Sequence, residues 1–136
     1  MQQIQFKATN KQLVELLQGL YNVQSLQGLK FALLVSKNVK IIKDELNDIE
    51  DIAQPTPEFL ELANKVRQFE EKKDSKAIKK LEKDNKKIVD ERKKQLAELQ
   101  EIMKEPVDLN LIPIEEKVLP ENITAGQLTG IQTLIK

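Results

Sequence analysis

The chain has 136 residues, a length that favours a single domain. It contains no cysteine, histidine or tryptophan, which excludes disulfides, thiolate metal sites and imidazole bases. Lys+Arg and Asp+Glu are equal at 22 each, so no net charge attracts the whole molecule to nucleic acid or to an anionic membrane. With 32% charged residues and only four glycines, the composition is typical of long amphipathic helices.

The N-terminal residues have neither the basic start nor the apolar stretch of a signal peptide. The longest unbroken apolar run covers only residues 31–35, far short of a membrane span. We therefore expect a soluble, cytoplasmic protein with no membrane partner.

The first two elements are a short strand and a helix. Ile4 and Phe6 alternate with polar residues over positions 3–7, which predicts a half-buried strand. Thr9, followed three residues later by Gln12, predicts a capping box that begins the first helix. The apolar face of this helix consists of Leu13, Leu16, Leu17, Leu20 and Tyr21, and the helix is expected to loosen over 22–28.

The second helix has the clearest pattern. Apolar residues recur at spacings of three and four from Ala32 to Ala53, and Pro55 ends the helix after Gln54. From about Ser25 to Ala53 its length is roughly 43 Å at 1.5 Å per residue. A helix this long needs another long helix beside it.

The following residues predict a third helix and then the long partner. Thr56 is the predicted N-cap and Pro57 the first helical residue. The apolar face disappears between Glu70 and Lys76, which predicts a bend or short break near Asp74 with Ser75 as a new N-cap; one continuous helix is the alternative. A seam of apolar residues at helical spacing resumes at Ala77 and continues to Met103. Residues 75–105 therefore match the second helix in length and are expected to pack against it as an antiparallel hairpin.

Beyond Pro106 the period changes again. Val107, Leu109 and Leu111 alternate with polar residues in a predicted strand over 107–114, which is expected to pair with the N-terminal strand. Thr124 and Gln127 then predict a capped C-terminal helix. Gly126 and Gly130, four apart in that helix, favour close packing over a dimer motif.

These elements predict a mainly α protein in which one domain covers 1–136. A long antiparallel, coiled-coil-like helical hairpin (28–105) stands on a small base (1–27 and 106–136). The base holds a two-stranded β-ribbon that pairs the N- and C-terminal segments, together with a short C-terminal helix.

The candidate interaction residues are four lysines of the charged stretch: Lys76, Lys80, Lys83 and Lys87. Between positions 70 and 94 there are 11 basic and 7 acidic residues, with Arg92 the one arginine and no aromatic residue. The more specific of two hypotheses is that these four lysines form a stripe that contacts phosphate groups. Interspersed acids and the lack of a stacking ring favour a solvated helix face, with ion pairs such as Glu82–Lys86 and Asp90–Lys94. Nucleic acid is therefore an unfavoured partner.

No catalytic, metal or cofactor residue is predicted. Asp44, Asp48 and Asp51 share a helix face, but no EF-hand loop is present and the chain has no histidine for a di-iron site. Nucleophilic catalysis would rest on a lysine or on one of four hydroxyl groups with no imidazole as base, so we expect a protein that is not an enzyme. The four are Ser25, Ser36, Ser75 and Tyr21.

Two polar residues interrupt the seam of the last long helix. Arg92 is expected to lay its stem along the partner helix and keep its head in water. Asn85 either sets the register of the packing or lies where the seam is one-sided.

Several segments together resemble a set of small, uncharacterised, mainly helical proteins encoded by tailed phages and prophages. They are Gly28-Leu29-Lys30-Phe31-Ala32 with Lys37-Asn38, the charged hairpin, the strand from Pro106 to Ile114, and Leu119-Pro120-Glu121-Asn122-Ile123-Thr124-Ala125 before the final helix. In those proteins the hairpin tip often carries a longer acidic, glycine-containing insert, where this chain has the compact run from Glu70 to Lys76.

The resemblance implies a viral genome and a non-enzymatic role, in the host cytoplasm or in the virion. The resemblance and the exposed apolar seam of a narrow hairpin favour a protein-interaction or structural protein, such as a virion or assembly component. Such a protein is expected to bind a protein partner or to self-associate through the hairpin. The alternative is a phage-encoded regulator that binds and inhibits a host protein. Weak nucleic-acid binding by the lysine-rich helix over 76–94 is the third hypothesis.

Overall fold

Helices form most of the chain, and the predicted mainly α class with a small β-ribbon is confirmed. The computed structural model describes residues 3–136. Its elements are β1 (Ile4–Thr9), α1 (Asn10–Asn22), α2 (Leu29–Ala53), α3 (Pro57–Glu71), α4 (Ser75–Asp84), α5 (Lys86–Lys104), β2 (Pro106–Leu111) and α6 (Ala125–Gly130), with short 3-10 turns at Glu116–Val118 and Gln132–Leu134.

The chain divides into two compact units. The terminal unit consists of Met1–Asp48 and Ile102–Lys136, and the helical unit consists of Ile49–Glu101. Both unit boundaries fall inside a helix, within α2 and within α5. Most of α2 therefore belongs to the unit that holds the termini, whereas the sequence pattern assigned all of it to the hairpin.

The two strands pair as predicted. β1 and β2 are antiparallel, with Ile4 opposite Leu111 and Thr9 opposite Pro106. The second strand ends at Leu111 rather than at 114, since Pro113 has no N–H for a ladder. Ile114 instead forms a parallel bridge with Ile135 of the C-terminal segment.

Helix α1 begins at the predicted capping box of Thr9 and Gln12. Its first residue, Asn10, is buried, and its side-chain amide donates to the carbonyl of Ile102 at 2.9 Å. The backbone N–H of Asn10 donates to Glu105 O at 3.0 Å. The start of α1 thus donates to two carbonyl groups at the end of α5, where the regular helical hydrogen bonds stop.

Helices α1 and α6 cross at two glycines. A Cβ placed on Gly19 would lie 2.2 Å from the carbonyl oxygen of Gly130, a separation that no side chain tolerates. Gly126, by contrast, has nothing within 4 Å of its Cβ position. Of the two glycines in the predicted close-packing pattern, Gly130 alone makes the close approach, and it does so with a helix of the same chain.

A buried asparagine joins α2 to the segment after β2. Asn38 is fully buried; its Nδ2 donates to Ile112 O at 2.8 Å and to Leu34 O at 3.0 Å. Its Oδ1 accepts from the N–H of Ile112 at 2.8 Å. The side-chain amide therefore pairs with both backbone groups of Ile112, as a neighbouring strand would.

The predicted break near Asp74 is present, so the alternative of a continuous helix is wrong. Helix α3 begins at the predicted cap, where Thr56 Oγ1 accepts from Phe59 N at 3.2 Å. After α3 ends, Lys73 adopts a left-handed φ of 56°. Asp74, one residue before the predicted Ser75, caps α4 by accepting from Ala77 N at 3.1 Å.

The prediction of one helix over 75–105 is wrong, because the helix is interrupted at Asn85. Both the backbone N–H of Asn85 and its Nδ2 donate to Leu81 O, at 3.1 and 2.8 Å. Asparagine side chains compete with the backbone for nearby carbonyl groups. Asn85 thus separates α4 from α5, an outcome that neither of the two sequence-based interpretations included.

Candidate interaction surface

The helical unit is built on α3, which packs against α4 and α5. Leu62 and Lys65 of α3 line one groove with Asn85 and Ile88. Thr56 and Phe59 line a second groove with Ile88, Arg92 and Gln95. Within this unit, α3 and the α4–α5 segment therefore run antiparallel on either side of the turn at residues 72–74, whereas the predicted hairpin set the whole of 75–105 against α2.

Arg92 lies at the junction of three helices. Its guanidinium donates to Ala53 O at 3.0 Å and to Gln95 Oε1 at 2.6 Å, and lies 5.5 Å from the centre of the Phe59 ring. The expectation that its head lies in water is wrong, because the end of α2 presents carbonyl oxygens without helical partners. Gln95 donates to the carbonyl oxygen of Gln54, the residue after α2, at 2.9 Å.

Most apolar side chains of the helical unit are only partly covered. Sixteen of the seventeen buried hydrophobic side chains that the structure describes lie in the terminal unit, and Leu62 alone lies in the helical unit. Ile52, Leu60 and Leu96 remain 47%, 50% and 41% exposed. A helix that is covered on one side only keeps the apolar groups of its other sides in contact with water.

Charge is distributed unevenly along the helical unit. The half that contains the turn, residues 65–85, has eight basic and five acidic residues. The other half, residues 49–64 and 86–101, has five basic and eight acidic residues. The two halves, which meet where Leu62 and Lys65 lie beside Asn85 and Ile88, therefore carry formal charges of +3 and −3.

The four candidate lysines are all exposed, but they do not share one helix. Lys76, Lys80 and Lys83 lie on α4, and Lys87 follows the interruption on α5. The predicted ion pairs of this stretch, Glu82–Lys86 and Asp90–Lys94, are not formed in the part of the chain that the structure describes. An exposed ion pair of the helical unit joins Lys65 to Glu61 at 3.8 Å.

The terminal unit has a surface groove between β1, α1 and α6. Its lining includes Lys7, Glu15 and several uncharged polar groups, namely Gln5, Gln12, Thr129 and Thr133. None of the three serines lines this groove, nor does Tyr21, whose ring lies 5.6 Å from Lys43 Nζ. Among residues 3–136, no group of three or more acidic side chains is placed to hold a metal ion.

One carboxyl group in the terminal unit has a shifted pKa. A hydrogen bond from Lys117, with the charge of the same ammonium group, lowers the pKa of Glu115 below its usual value. The Nζ–Oε2 distance is 3.0 Å, and both side chains are largely exposed.

None of the helices in the described chain combines the length and the apolar composition that crossing a membrane requires. Neither a protein-family model nor a curated protein nor a solved structure matches this chain. The resemblance to small phage proteins therefore stays a sequence-based prediction.

Proposed function

We propose that the chain is a non-enzymatic protein-interaction or structural protein whose helical unit binds another protein chain. The observation that carries this proposal is the single buried side chain, Leu62, in a unit of more than fifty residues. Binding would remove further apolar area from water, at a gain of about 25 cal/mol per Å².

The charge distribution supports a protein partner over a polyanion. The helical unit has as many acidic as basic residues, and its more basic half carries only +3. A phosphate backbone would meet acidic side chains beside nearly every lysine, whereas a protein surface can present both signs.

Two substitutions in the helical unit test the proposal. Leu60→Glu with Leu96→Glu places carboxylates on two of its exposed apolar sites. Leu29→Glu is the matched control, since Leu29 is 90% exposed but lies on the terminal unit. We expect the wild-type chain and the control to form a stoichiometric complex with a protein, detected by light scattering and affinity capture, and the double variant to lose at least about tenfold in affinity.

A wild-type chain that remains monomeric at high concentration and captures no protein stoichiometrically would contradict the proposal. Equal loss of affinity in the control and the double variant would contradict the assignment to the helical unit. A negative heat-capacity change on binding, measured by calorimetry for the identified pair, is expected because apolar surface is buried.

The phage resemblance gives the proposal a more specific form. A virion or assembly component is expected in purified particles or in assembly intermediates, where mass spectrometry detects its peptides. A regulator of a host protein is instead expected in the infected cell and absent from the particle.

The lysine stripe provides a separate test of partner class. Because acidic residues surround Lys76, Lys80, Lys83 and Lys87, we expect no measurable binding to duplex or single-stranded nucleic acid at about 150 mM salt. A sub-micromolar complex whose salt slope falls by roughly three to four when all four lysines are neutralised would instead establish phosphate contacts.

A further inference from the structure

Strand β1 has a free edge, and its pairing with β2 shows which backbone groups lie on that edge. In an antiparallel pair, successive residues direct their N–H and carbonyl groups alternately toward the partner strand and away from it. The N–H of Asn10 donates to Glu105 O, and these two residues continue the register of β1 and β2. By alternation from Asn10, the backbone groups of Gln5, Lys7 and Thr9 point away from β2.

The end of this edge is occupied, but its middle is open. The N–H of Thr9 donates to Gln12 Oε1 at 3.0 Å as part of the capping box. Within residues 3–136, the backbone groups of Gln5 and Lys7 form no hydrogen bond outside the strand pair. These two residues therefore offer two N–H donors and two carbonyl acceptors, in the alternating pattern that a neighbouring extended chain would satisfy.

The groove between β1, α1 and α6 runs along this open edge. Residues 5–8 form its β1 wall, and Leu16 and Gly130 are among the residues of the opposite wall. None of the described residues that line it belongs to β2, so the groove lies on the side of β1 that faces away from the partner strand. Its volume is about 630 Å³, within the range of about 300–1,000 Å³ that ligand sites occupy.

The core face of β1 indicates which side chains fit the groove. Phe6 is buried and Ala8 is half-buried, so the inner face of the strand lies at these positions. Side chains of an added strand also alternate between the two faces. Those on the inner face would point toward Leu16 and Gly130, which favours short apolar residues such as valine.

The exposed face of β1 indicates a preference for an acidic residue. Lys7 lies opposite Asp108, but both carboxylate oxygens of Asp108 accept from Gln5 Nε2, each at 3.1 Å. Among the described residues, no ion pair includes Lys7. Opposite charges on directly neighbouring strands attract each other, so the exposed ammonium group of Lys7 favours a carboxylate on the strand that occupies the open edge.

We propose that the terminal unit binds an extended peptide segment of another protein, which adds to the open edge of β1 as a third strand. Main-chain hydrogen bonds to Gln5 and Lys7 supply affinity, and alternate side chains supply specificity. The segment carries an acidic residue beside Lys7 and short apolar residues on the inner face. A second copy of β1 does not fit this description, because the strand contains a lysine and no acidic residue. The site goes beyond the proposed function, since it lies on the terminal unit and does not use the helical unit.

Hydrogen exchange in the free chain tests whether the edge is open. The amides of Phe6 and Ala8 point toward β2 and are expected to be protected. The amides of Gln5 and Lys7 are expected to exchange at least about tenfold faster. Equal protection of all four amides would show that the edge is already occupied and would overturn the proposal.

A display library of random linear peptides, about ten residues long and selected on the full-length chain, supplies the probe. We expect the enriched peptides to share an acidic residue with short apolar residues at the neighbouring positions. The most enriched peptide is expected to slow the exchange of the Gln5 and Lys7 amides. A selection that gives no peptide able to protect these two amides would overturn the proposal.

Proline substitution tests the main-chain hydrogen bonds. Lys7→Pro removes an N–H that points away from β2, so it leaves the strand pair its own bonds, and it is expected to weaken binding of the selected peptide at least about tenfold. Lys7→Gln keeps the N–H and loses only the charge, for an expected loss of about two- to fivefold. Asn110→Pro is the matched control, since Asn110 lies opposite Gln5 and its N–H points outward on the other edge; its affinity is expected to be unchanged.

Circular dichroism verifies that each of these variants keeps its helices. Equal affinities of Lys7→Pro and Lys7→Gln would contradict the main-chain contact. An equal loss in Asn110→Pro would show that the peptide responds to the stability of the strand pair and would overturn the choice of edge.

Filling the groove tests the site without changing β1. Thr133 is exposed and lines the groove, whereas the neighbouring exposed Gln132 does not. Thr133→Trp is expected to weaken peptide binding at least about tenfold, and Gln132→Trp is expected to leave it unchanged. Equal affinities of these two variants would overturn the assignment to the groove. A dimer of the free chain in sedimentation velocity that Lys7→Pro dissociates would show that the edge binds a second copy and would overturn the peptide proposal.

Discussion

Replacement of Asn38 by alanine is expected to destabilise the terminal unit strongly. The side chain is fully buried and makes hydrogen bonds of 2.8 Å to both the N–H and the carbonyl of Ile112. Alanine leaves these two backbone groups without their partners, and each unsatisfied group costs about 1–3 kcal/mol. Ile112 itself is only half-buried, and water that reaches it recovers part of the cost. We therefore expect a loss of about 2–4 kcal/mol in the free energy of unfolding.

Two further variants separate the possible causes of this loss. Asn38→Leu restores most of the lost volume but none of the hydrogen bonds, so it is expected to destabilise nearly as much as alanine. Asn110→Ala removes an exposed asparagine of the neighbouring strand β2 and is expected to change the stability by less than about 0.5 kcal/mol.

Urea unfolding provides the assay. Circular dichroism follows the helices of both units, whereas the fluorescence of Tyr21, the one tyrosine of a chain that lacks tryptophan, reports on the terminal unit. Hydrogen exchange of the Ile112 amide measures the same bond locally and is expected to accelerate in both Asn38 variants. If Asn38→Ala and Asn110→Ala have equal stabilities and Ile112 exchanges at its wild-type rate, the argument is refuted.

Four further substitutions test three features of the structure. Gly19→Ala is expected to destabilise by about 2 kcal/mol or more in urea unfolding, because its Cβ would lie 2.2 Å from a backbone oxygen of α6. Gly126→Ala has open space and is expected to be neutral or to gain up to about 1 kcal/mol; equal effects would contradict the close crossing. Lys73→Gly is expected to stabilise by about 1 kcal/mol, since glycine adopts a φ of 56° without strain; a loss would contradict this. Lys117→Gln is expected to raise the pKa of Glu115 toward its usual value in an NMR titration. Because folding lowers the pKa of Glu115, the small stabilisation from the Glu115–Lys117 pair is present above the unfolded-state pKa and is lost as the pH falls through the folded-state pKa. An unchanged titration of Glu115 in the Lys117 variant would exclude Lys117 as the cause of the shift.

The local features of this protein can be read from the sequence because each depends on residues a few positions apart. Thr9 with Gln12 and Thr124 with Gln127 form the predicted capping boxes, and Thr56 caps α3. Alternating apolar residues identified the two strands, and the need to satisfy their backbone groups identified their pairing. The loss of the apolar face after Glu70 located the break before α4.

The candidate surface was predictable only in part. The sequence pattern showed the exposed lysines, and it showed more apolar residues along the helices than one facing helix can cover. The interruption at Asn85 was not, since asparagine occurs within helices as well as at their ends and only the bond to Leu81 decides the outcome. Nor could the position of Arg92 be foreseen, because the carbonyl of Ala53 that it reaches lies 39 residues earlier in the chain.

By itself, the sequence determined where most helices and strands begin and which side of α1 faces inward, because capping, proline and hydrophobic periodicity act within a few residues. It did not determine burial elsewhere: Ala32, the first residue of the predicted apolar pattern of α2, is exposed, and Phe31 is buried instead. The tertiary structure alone decided which distant groups meet: Asn38 with Ile112 across 74 positions, and Gly19 with Gly130 at the crossing of α1 and α6. An asparagine or a glycine is compatible with many environments. Its role is settled only when folding brings a particular backbone group within hydrogen-bonding or van der Waals distance.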